Sequence, residues 1–134
     1  MKLIAFEVLM KPTAKARART VVHNGITRSY TPSKTVDSEN MIRVTYYDHY
    51  LLTDRFSKPT AIKLTCVFVL SKPKSAPKKR EILPTTRPDI DNYIKLVLDS
   101  LNGYAFDDDS QIIELHASKV YGDIPKIRIQ MEGV

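Results

Sequence analysis

Two aspartates and a lysine in the second half of the chain are the side chains best suited to chemistry. Asp89 and Asp91 are separated by one residue, so their carboxylates point the same way if this segment is extended. Pro88 disfavours a helical conformation just before them and fits an extended entry. Asp91 and Lys95 share a face if a helix begins here. Carboxylates bind divalent metal ions and a lysine contacts phosphate, so this combination indicates hydrolysis of a phosphodiester.

The same residues also fit a purely structural interpretation. Asp89 or Asp91 is a suitable N-cap for a helix that begins at this point. Asp91 and Lys95 would then form only a surface ion pair, worth about 0.3 kcal/mol. From this motif alone, the helix cap and the metal site are equally open.

A second acidic run, Asp107 to Asp109, shifts the balance toward a metal site. Phe106 and Ile112 frame this run with apolar side chains that should anchor the turn to the core. If the chain doubles back after the helix, a short connection brings the turn beside the helix head. Asp89, Asp91 and one turn acid would then suffice for Mg²⁺, which commonly takes few carboxylates. The alternative is a solvated acidic turn, the commoner fate of such a run.

Positive charge is concentrated in two segments that contain no acid. The 134 residues carry a net charge of +6, and the sequence pI is about 9.4. The basic residues of the first segment are Lys11, Lys15, Arg17, Arg19, Arg28 and Lys34, and those of the second are Lys72, Lys74, Lys78, Lys79 and Arg80. The acids gather later, from Asp89 to Asp123. This distribution favours a polyanionic partner such as DNA.

Composition narrows the class of protein further. The length fits one domain over residues 1–134, and a hydrophobic share of 43% is ordinary for a globular protein. Cys66 is the only cysteine, so no intrachain disulfide forms and a reducing compartment is favoured. No apolar stretch approaches the roughly 20 residues of a membrane span. No signal peptide, zinc-ligand spacing or glycine-rich phosphate loop is found. We expect a cytoplasmic protein without membrane contact.

Hydrophobic periodicity predicts two main helices and several strands. The predicted strands are Leu3–Met10, Ala61–Leu70, Gln111–Val120 and Lys126–Met131, with a hairpin over Thr20–Tyr30 and helices over Ser33–Tyr50 and Asp91–Leu101. The expected apolar stripe of the first helix is Val36, Met41, Val44 and Leu51. The last two strands are expected to pair as an antiparallel hairpin. The predicted fold class is α+β, a mixed β-sheet with two main helices.

Five segments form an ordered set of motifs along the chain. They are Lys11-Pro12 with Lys15-Ala16-Arg17-Ala18-Arg19, Tyr30-Thr31-Pro32, Pro88-Asp89-Ile90-Asp91-Asn92 with Lys95, Leu98-Asp99-Ser100-Leu101-Asn102-Gly103, and Asp108-Asp109-Ser110-Gln111-Ile112. This set resembles the RusA family of Holliday junction resolvases over nearly the whole chain. The central and acidic motifs are the specific parts, and the basic N-terminal part is looser.

The resemblance implies a RusA-like fold and a homodimeric, Mg²⁺-dependent endonuclease for which Mn²⁺ is the possible substitute. Such an enzyme cuts four-way DNA junctions by paired, symmetric nicks in recombination and repair. The family's catalytic and metal-binding acids correspond here to Asp89, Asp91 and Asp109, with Asp108 as the alternative third acid. The family's essential lysine corresponds to Lys95.

The expected DNA contacts are Arg87 and most of the basic residues of the two acid-free segments, without Arg28 and Lys34. They are Lys11, Lys15, Arg17, Arg19, Lys72, Lys74, Lys78, Lys79, Arg80 and Arg87. A dimer also agrees with symmetry, because a four-way junction is nearly two-fold symmetric and two symmetric cuts need two related active sites. Tyr46, Tyr47 and Tyr50 are candidates for the dimer surface, although a place in the aromatic core fits them at least as well.

Two other functions stay open at this stage. One is a non-catalytic basic DNA-binding protein whose acids only cap a helix and a turn. The other is a metal-dependent nuclease that acts on other branched or flap DNA, or on RNA. Cleavage on adding Mg²⁺ separates the first from a resolvase, and competition between substrates separates the second.

Overall fold

The computed structural model describes residues 2–16, 18–75 and 81–134. Its helices and strands are, in chain order, β1 (Leu3–Val8), β2 (Arg19–His23), β3 (Ile26–Tyr30), α1 (Ser33–His49), β4 (Ile62–Leu70), α2 (Ile90–Leu101), β5 (Ile112–Tyr121) and β6 (Lys126–Gly133). Two short 3₁₀ turns cover Leu52–Asp54 and Asp109–Gln111. The predicted α+β class, with a mixed sheet and two main helices, is confirmed. In the described ranges, no helix is long and apolar enough to cross a membrane.

The main sheet has four strands in the order β1-β6-β4-β5. Strand β6 is antiparallel to both of its neighbours, and β4 and β5 are parallel. The predicted hairpin between the last two strands is therefore wrong, because β4 lies between them. Burial explains the order. Strand β6 carries Ile127, Ile129 and Met131 into the core and takes an inner position, whereas most β5 residues are exposed and suit an edge.

The core lies between one face of this sheet and the two helices. Alternate residues of β1, β4 and β6 point into it and meet buried residues of α1 and α2. Cys66 of the central strand β4 is fully buried there, and this burial raises the pKa of its thiol to about 12. The cysteine is thus a small core residue, as its place in an apolar run predicted.

Helix α1 has the predicted extent but buries a different face. The residues of the predicted stripe are all exposed, namely Val36, Met41, Val44 and Leu51. The buried residues are Thr35, Ser38, Glu39, Ile42 and Tyr46. The stripe was wrong because polar side chains pack inside when they are paired. Ser38, for example, accepts a hydrogen bond from Thr13 Oγ1 (2.8 Å) and donates one to the Lys34 carbonyl (3.0 Å).

The three tyrosines near the end of α1 occupy different environments. Tyr46 is fully buried, and burial raises the pKa of its phenol to about 12. The Tyr50 hydroxyl exchanges hydrogen bonds with the backbone of Ala5 on edge strand β1. Tyr47 is 39% exposed. Of the three tyrosines proposed as dimer contacts, Tyr46 is therefore a core residue. Tyr47 is the one whose side chain is exposed.

Helix α2 is the crossover element between parallel strands β4 and β5. Its extent agrees with the prediction to one residue, and Gly103 follows its end with φ +81°. Parallel neighbours need such a crossover, since a two-residue turn cannot join them. The polarity of α2 decides where each acidic segment lies, because one precedes this helix and the other follows it.

Strands β2 and β3 form a separate two-stranded ribbon. The predicted turn is confirmed, since Asn24 and Gly25 have φ of 51° and 77° at its tip. Two successive positive φ values are what the tight hairpin turn requires. The ribbon is not hydrogen-bonded to the main sheet, so it extends from the domain as an arm.

Candidate active site

Asp89 occupies the N-cap position of α2 without capping the helix through its side chain. Its backbone is extended (φ −70°, ψ 148°), and its carbonyl accepts the first helical hydrogen bond, from Asn92 N (3.1 Å). Its carboxylate makes no cap hydrogen bond and is exposed. The structural interpretation of this residue as an N-cap therefore accounts for its backbone and leaves its carboxylate unused.

Asp91 is likewise exposed, in the first turn of α2. The surface ion pair with Lys95 is not formed, because the Lys95 ammonium lies 3.8 Å from Asp99 Oδ2 instead. Within the described residues, the side chains of Asp89 and Asp91 accept no hydrogen bond and form no ion pair. Two unpaired carboxylates thus stand at the positive end of the helix dipole, where negative charge is favourable.

In the acidic turn, by contrast, Asp107 is committed to the fold. Its carboxylate accepts hydrogen bonds from the Arg55 guanidinium and from the backbone N–H of Lys58 (2.8 Å). The Lys58 N–H and the positive Arg55 hold the pKa of Asp107 below its usual value. Asp107 therefore fastens the turn to the loop that precedes β4.

Asp108 caps the short 3₁₀ turn. Its carboxylate accepts hydrogen bonds from the hydroxyl and the backbone N–H of Ser110, and these two bonds lower the pKa of Asp108. Asp109 is exposed, and no described residue pairs with its carboxylate. Of the two candidates for a third metal ligand, Asp109 is the one with free oxygens.

Gln111 anchors this turn, a role that sequence analysis did not assign. It is buried, and its amide oxygen accepts from Asp108 N (3.0 Å) while its amide nitrogen donates to the carbonyls of Phe56 (3.3 Å) and Thr60 (3.0 Å). The signal was present in the sequence, because an acid followed three residues later by glutamine is the pattern of a capping box.

The acidic turn lies at the opposite end of α2 from Asp89 and Asp91. The helix has 12 residues, so its ends are separated by about 18 Å. The segment that follows it stays at the distal end, where Phe56 N donates to Ala105 O (2.9 Å). The condition under which the acidic turn would lie beside the helix head, a chain that doubles back after the helix, is therefore not met. The α2 crossover delivers the chain to the start of β5, a parallel strand, and this start is far from the helix head.

The register of the sheet gives a second measure of the distance between the acidic turn and the head of α2. Lys119, opposite Phe68, donates to the Pro88 carbonyl (3.0 Å) beside the helix head. Ile112 begins the same strand seven residues earlier, just after the acidic turn. Seven parallel-strand residues span about 23 Å. Oxygens that share one Mg²⁺ lie about 2.1 Å from it, so Asp109 cannot share one ion with Asp89 and Asp91 of its own chain.

Accordingly, the described part of the chain contains no group of three or more metal-ligating side chains. The donor set at the helix head still fits a hard divalent cation in part, since two free carboxylates are what Mg²⁺ commonly takes from a protein. Among the described residues, no third acid joins these two at the helix head.

Lys15 connects the N-terminal basic loop to both helices. Its ammonium lies 3.3 Å from Glu39 of α1 and 3.4 Å from Asp99 of α2, and Asp99 also pairs with Lys95. Glu39 is buried and also contacts Arg43 (3.6 Å). Lys15, expected to contact DNA, is thus mainly engaged in holding the loop beside Lys95. Glu39 and Asp99 are further residues that sequence analysis left unassigned.

The remaining predicted DNA contacts fall into two groups. Exposed side chains are those of Lys11, Arg19, Lys72, Lys74 and Arg87. Arg17, Lys78, Lys79 and Arg80 lie outside the described residues. One groove is lined by Lys11, Arg19 and Lys34 and extends to Pro88, directly before Asp89. Three cations and no acid line this groove, so it favours phosphate close to the two free carboxylates.

The chain is also similar to known proteins over nearly its whole length. The profile of the family described as "Endodeoxyribonuclease RusA" matches residues 10–132. The chain belongs to the RusA family. It is also 30% identical, over 140 residues, to "Uncharacterized protein YqaN" of Bacillus subtilis (strain 168), and the match covers all of this chain and 99% of that protein.

As a RusA-family protein, the chain is an endodeoxyribonuclease, a hydrolase of the kind that resolves Holliday junctions. Nucleases of this family are metal-dependent in general. The family match covers the basic loop, the head of α2 and the acidic turn together. The match therefore includes every residue that was predicted to belong to the site.

Proposed function

We propose that this RusA-family protein resolves four-way DNA junctions in recombination and repair, using Mg²⁺ and two symmetric nicks. The observation that supports this most is that Asp89 and Asp91, whose carboxylates pair with no described residue, lie beside a groove in which every charged lining residue is a cation. Cations hold the phosphate backbone, and unpaired carboxylates are available for a metal ion. The proposed place of action is the cytoplasm.

Asp89 and Asp91 are the proposed Mg²⁺ ligands of one protomer, and Mn²⁺ is the expected substitute because it accepts the same oxygen donors. When bound, such an ion lowers the pKa of a coordinated water and neutralises phosphate charge. The carboxylates are exposed and pre-positioned by the first turn of α2, so substrate can approach them without rearrangement of the core.

Lys95 is the proposed catalytic cation. Its side chain is 63% exposed, and its ammonium pairs weakly with Asp99, which Lys15 also holds. Asp99 therefore keeps Lys95 on the face of α2 that lines a groove with the basic loop. A positive group at this position stabilises the negative charge that develops on the scissile phosphate.

We further propose that the protein acts as a homodimer in which Asp109 of one copy completes the site at Asp89 and Asp91 of the other. The support is geometric, since the two ends of α2 are about 18 Å apart within one chain. In a two-fold dimer whose α2 helices lie side by side and antiparallel, the acidic turn of each copy would lie beside the helix head of the other. The dimer would then contain two equivalent sites, one for each nick.

The test of the function is cleavage of a synthetic four-way junction and of a linear duplex with the same sequence, with and without Mg²⁺. We expect paired nicks in the junction alone, lost in EDTA and in Asp91→Asn. If flap or other branched DNA were cut in preference to the junction in competition, the four-way junction would not be the substrate. Junction binding without cutting under any divalent metal would contradict the catalytic role.

The test of the shared site is subunit mixing. Asp91→Asn and Asp109→Asn should each be inactive alone. A mixed dimer would have one site with no substitution, so random exchange should restore about a quarter of wild-type cutting, measured after co-refolding. Mn²⁺ bound to the mixture, followed by electron paramagnetic resonance, should recover in the same proportion.

Three outcomes would contradict the shared site. Cutting by Asp109→Asn alone would remove this residue from the site. Mixed dimers that form but recover neither cutting nor Mn²⁺ binding would place all three acids in one chain. A monomer by light scattering, active at the same concentration, would exclude the dimer itself.

A further inference from the structure

The β2–β3 ribbon is a surface that the proposed active site does not use. Every residue of both strands is exposed, and the strands pair only with each other. A two-stranded hairpin is at best marginally stable by itself in water. This one also exposes Val22 (67%) and Ile26 (57%) near its tip. An arm that buries so little against its own domain is suited to burying its surface against a partner.

Strand register divides the ribbon into two chemically different faces. Residues directly opposite each other share a face, and neighbours along a strand alternate. What we call the cationic face consists of the pairs Arg19–Tyr30, Val21–Arg28 and His23–Ile26. The hydroxyl face consists of the pairs Thr20–Ser29 and Val22–Thr27. The positive and aromatic side chains all lie on the first face.

Charge identifies the kind of partner that fits the cationic face. The sequence contains no acid between Glu7 and Asp37, so the ribbon and the segments that flank it carry no carboxylate. Neither Arg19 nor Arg28 pairs with a described residue. Unpaired arginines beside a tyrosine are complementary to a nucleic acid, which offers phosphates, base edges and flat rings.

The ribbon is also continuous with the proposed active site. Arg19, at the base of the cationic face, lines the groove that reaches Pro88. Ala18 and Thr31, which flank the ribbon on either side, line the groove that contains Lys95. DNA held at the head of α2 would therefore lie along the base of the ribbon.

We propose that the β2–β3 ribbon enters the major groove of a duplex arm and directs its cationic face at the base edges. This inference rests on the proposed function, which supplies DNA as the substrate. The major groove is about 12 Å wide and admits a two-stranded ribbon. Arg28 belongs to the pair next to His23–Ile26 on the same face, close to the tip of the ribbon. Its side chain is the one placed to donate two hydrogen bonds to a guanine. Arg19 holds a phosphate at the groove edge.

The test compares Arg28→Ala with Thr27→Ala, its neighbour on the hydroxyl face. Junction binding is measured without divalent metal, and guanine N7 positions in the arms are probed with dimethyl sulfate. We expect Arg28→Ala to weaken binding about tenfold and to lose protection of guanine N7. Thr27→Ala should bind and protect like wild type.

Arg28→Lys separates base contact from phosphate contact while keeping the ribbon and its charge intact. Lysine cannot reproduce the guanidinium's two-donor fork, so we expect loss of protection at unchanged salt dependence. If Arg28→Lys protects guanine N7 fully, or if Arg28→Ala weakens binding with N7 protection unchanged, Arg28 contacts phosphate and the groove placement is wrong. Wild-type binding by Arg28→Ala would remove the ribbon from the interface.

Failure of this inference is distinguishable from failure of the proposed function. Wild-type protein that cuts junctions while Arg28→Ala binds them normally would leave the active site standing and overturn only the ribbon. Wild-type protein that neither binds nor cuts a junction would overturn both. The comparison uses full-length protein throughout, and Thr27→Ala controls for the effect of substitution within β3.

Discussion

The head of α2 and the acidic turn are two aspartate-rich segments that use their carboxylates differently. Asp89 and Asp91 pair with no described residue. Asp107 and Asp108 are bound to Arg55, Lys58 and Ser110. Asp109, next in sequence, is again unpaired. Whether an aspartate serves the fold or is left for a ligand is thus decided residue by residue, by whether a donor lies within reach.

The largest effect that separates the two sets is on catalysis. Asp89→Asn or Asp91→Asn should reduce junction cleavage by about a hundredfold or more, because each removes a proposed metal ligand. Neither carboxylate forms a hydrogen bond or ion pair with a described residue, so the free energy of unfolding in urea should change by no more than about 0.5 kcal/mol. Inactive variants that are also strongly destabilised would show that these carboxylates support the fold.

The next largest effect is expected at Glu39, the most buried of the paired carboxylates. Glu39→Gln keeps the shape of the side chain but leaves Lys15 and Arg43 without a negative partner on α1. We expect a loss of about 1–3 kcal/mol in the free energy of unfolding, measured in urea. Asp37→Asn is the matched control, because Asp37 is exposed on the same helix and pairs with no described residue. Equal losses of unfolding free energy in the two variants would show that the paired carboxylate of Glu39 stabilises the fold no more than the exposed carboxylate of Asp37.

The smallest effect is a pH dependence confined to the acidic turn. The pKa of Asp107 is lowered from 3.8 in the fold, chiefly by the Lys58 N–H and Arg55. A lowered folded pKa means that stability is present above the unfolded value and is lost as pH falls through the folded one. Asp107→Asn should therefore melt at a lower temperature than wild type at neutral pH. Its melting temperature should also fall less steeply than that of wild type below about pH 4.

Asp109→Asn is the control for this experiment, since Asp109 belongs to the same turn but pairs with no described residue. Its melting temperature should follow the wild-type acid profile. If Asp107→Asn and Asp109→Asn gave the same acid profile, the contacts of Asp107 would contribute no more to stability than the exposed carboxylate beside it.

Local sequence determined the features that depend only on nearby residues. The Asn24-Gly25 turn, the extent of α2 and strand β4 were all predicted to within about two residues. Side-chain periodicity and turn chemistry act over a few residues, so they can be recognised without a fold. The same holds for the acidic and basic segments, whose composition indicated metal and nucleic acid.

Tertiary structure alone decided which distant segments meet. It placed β4 between β5 and β6, buried the Glu39 side of α1 instead of the Val44 side, and set Asp109 at the far end of α2 from Asp91. These outcomes depend on pairing partners far away in sequence, such as Lys15 for Glu39. A one-dimensional pattern contains the charges and the apolar residues, but the free energy of each contact depends on a partner that only the folded chain supplies.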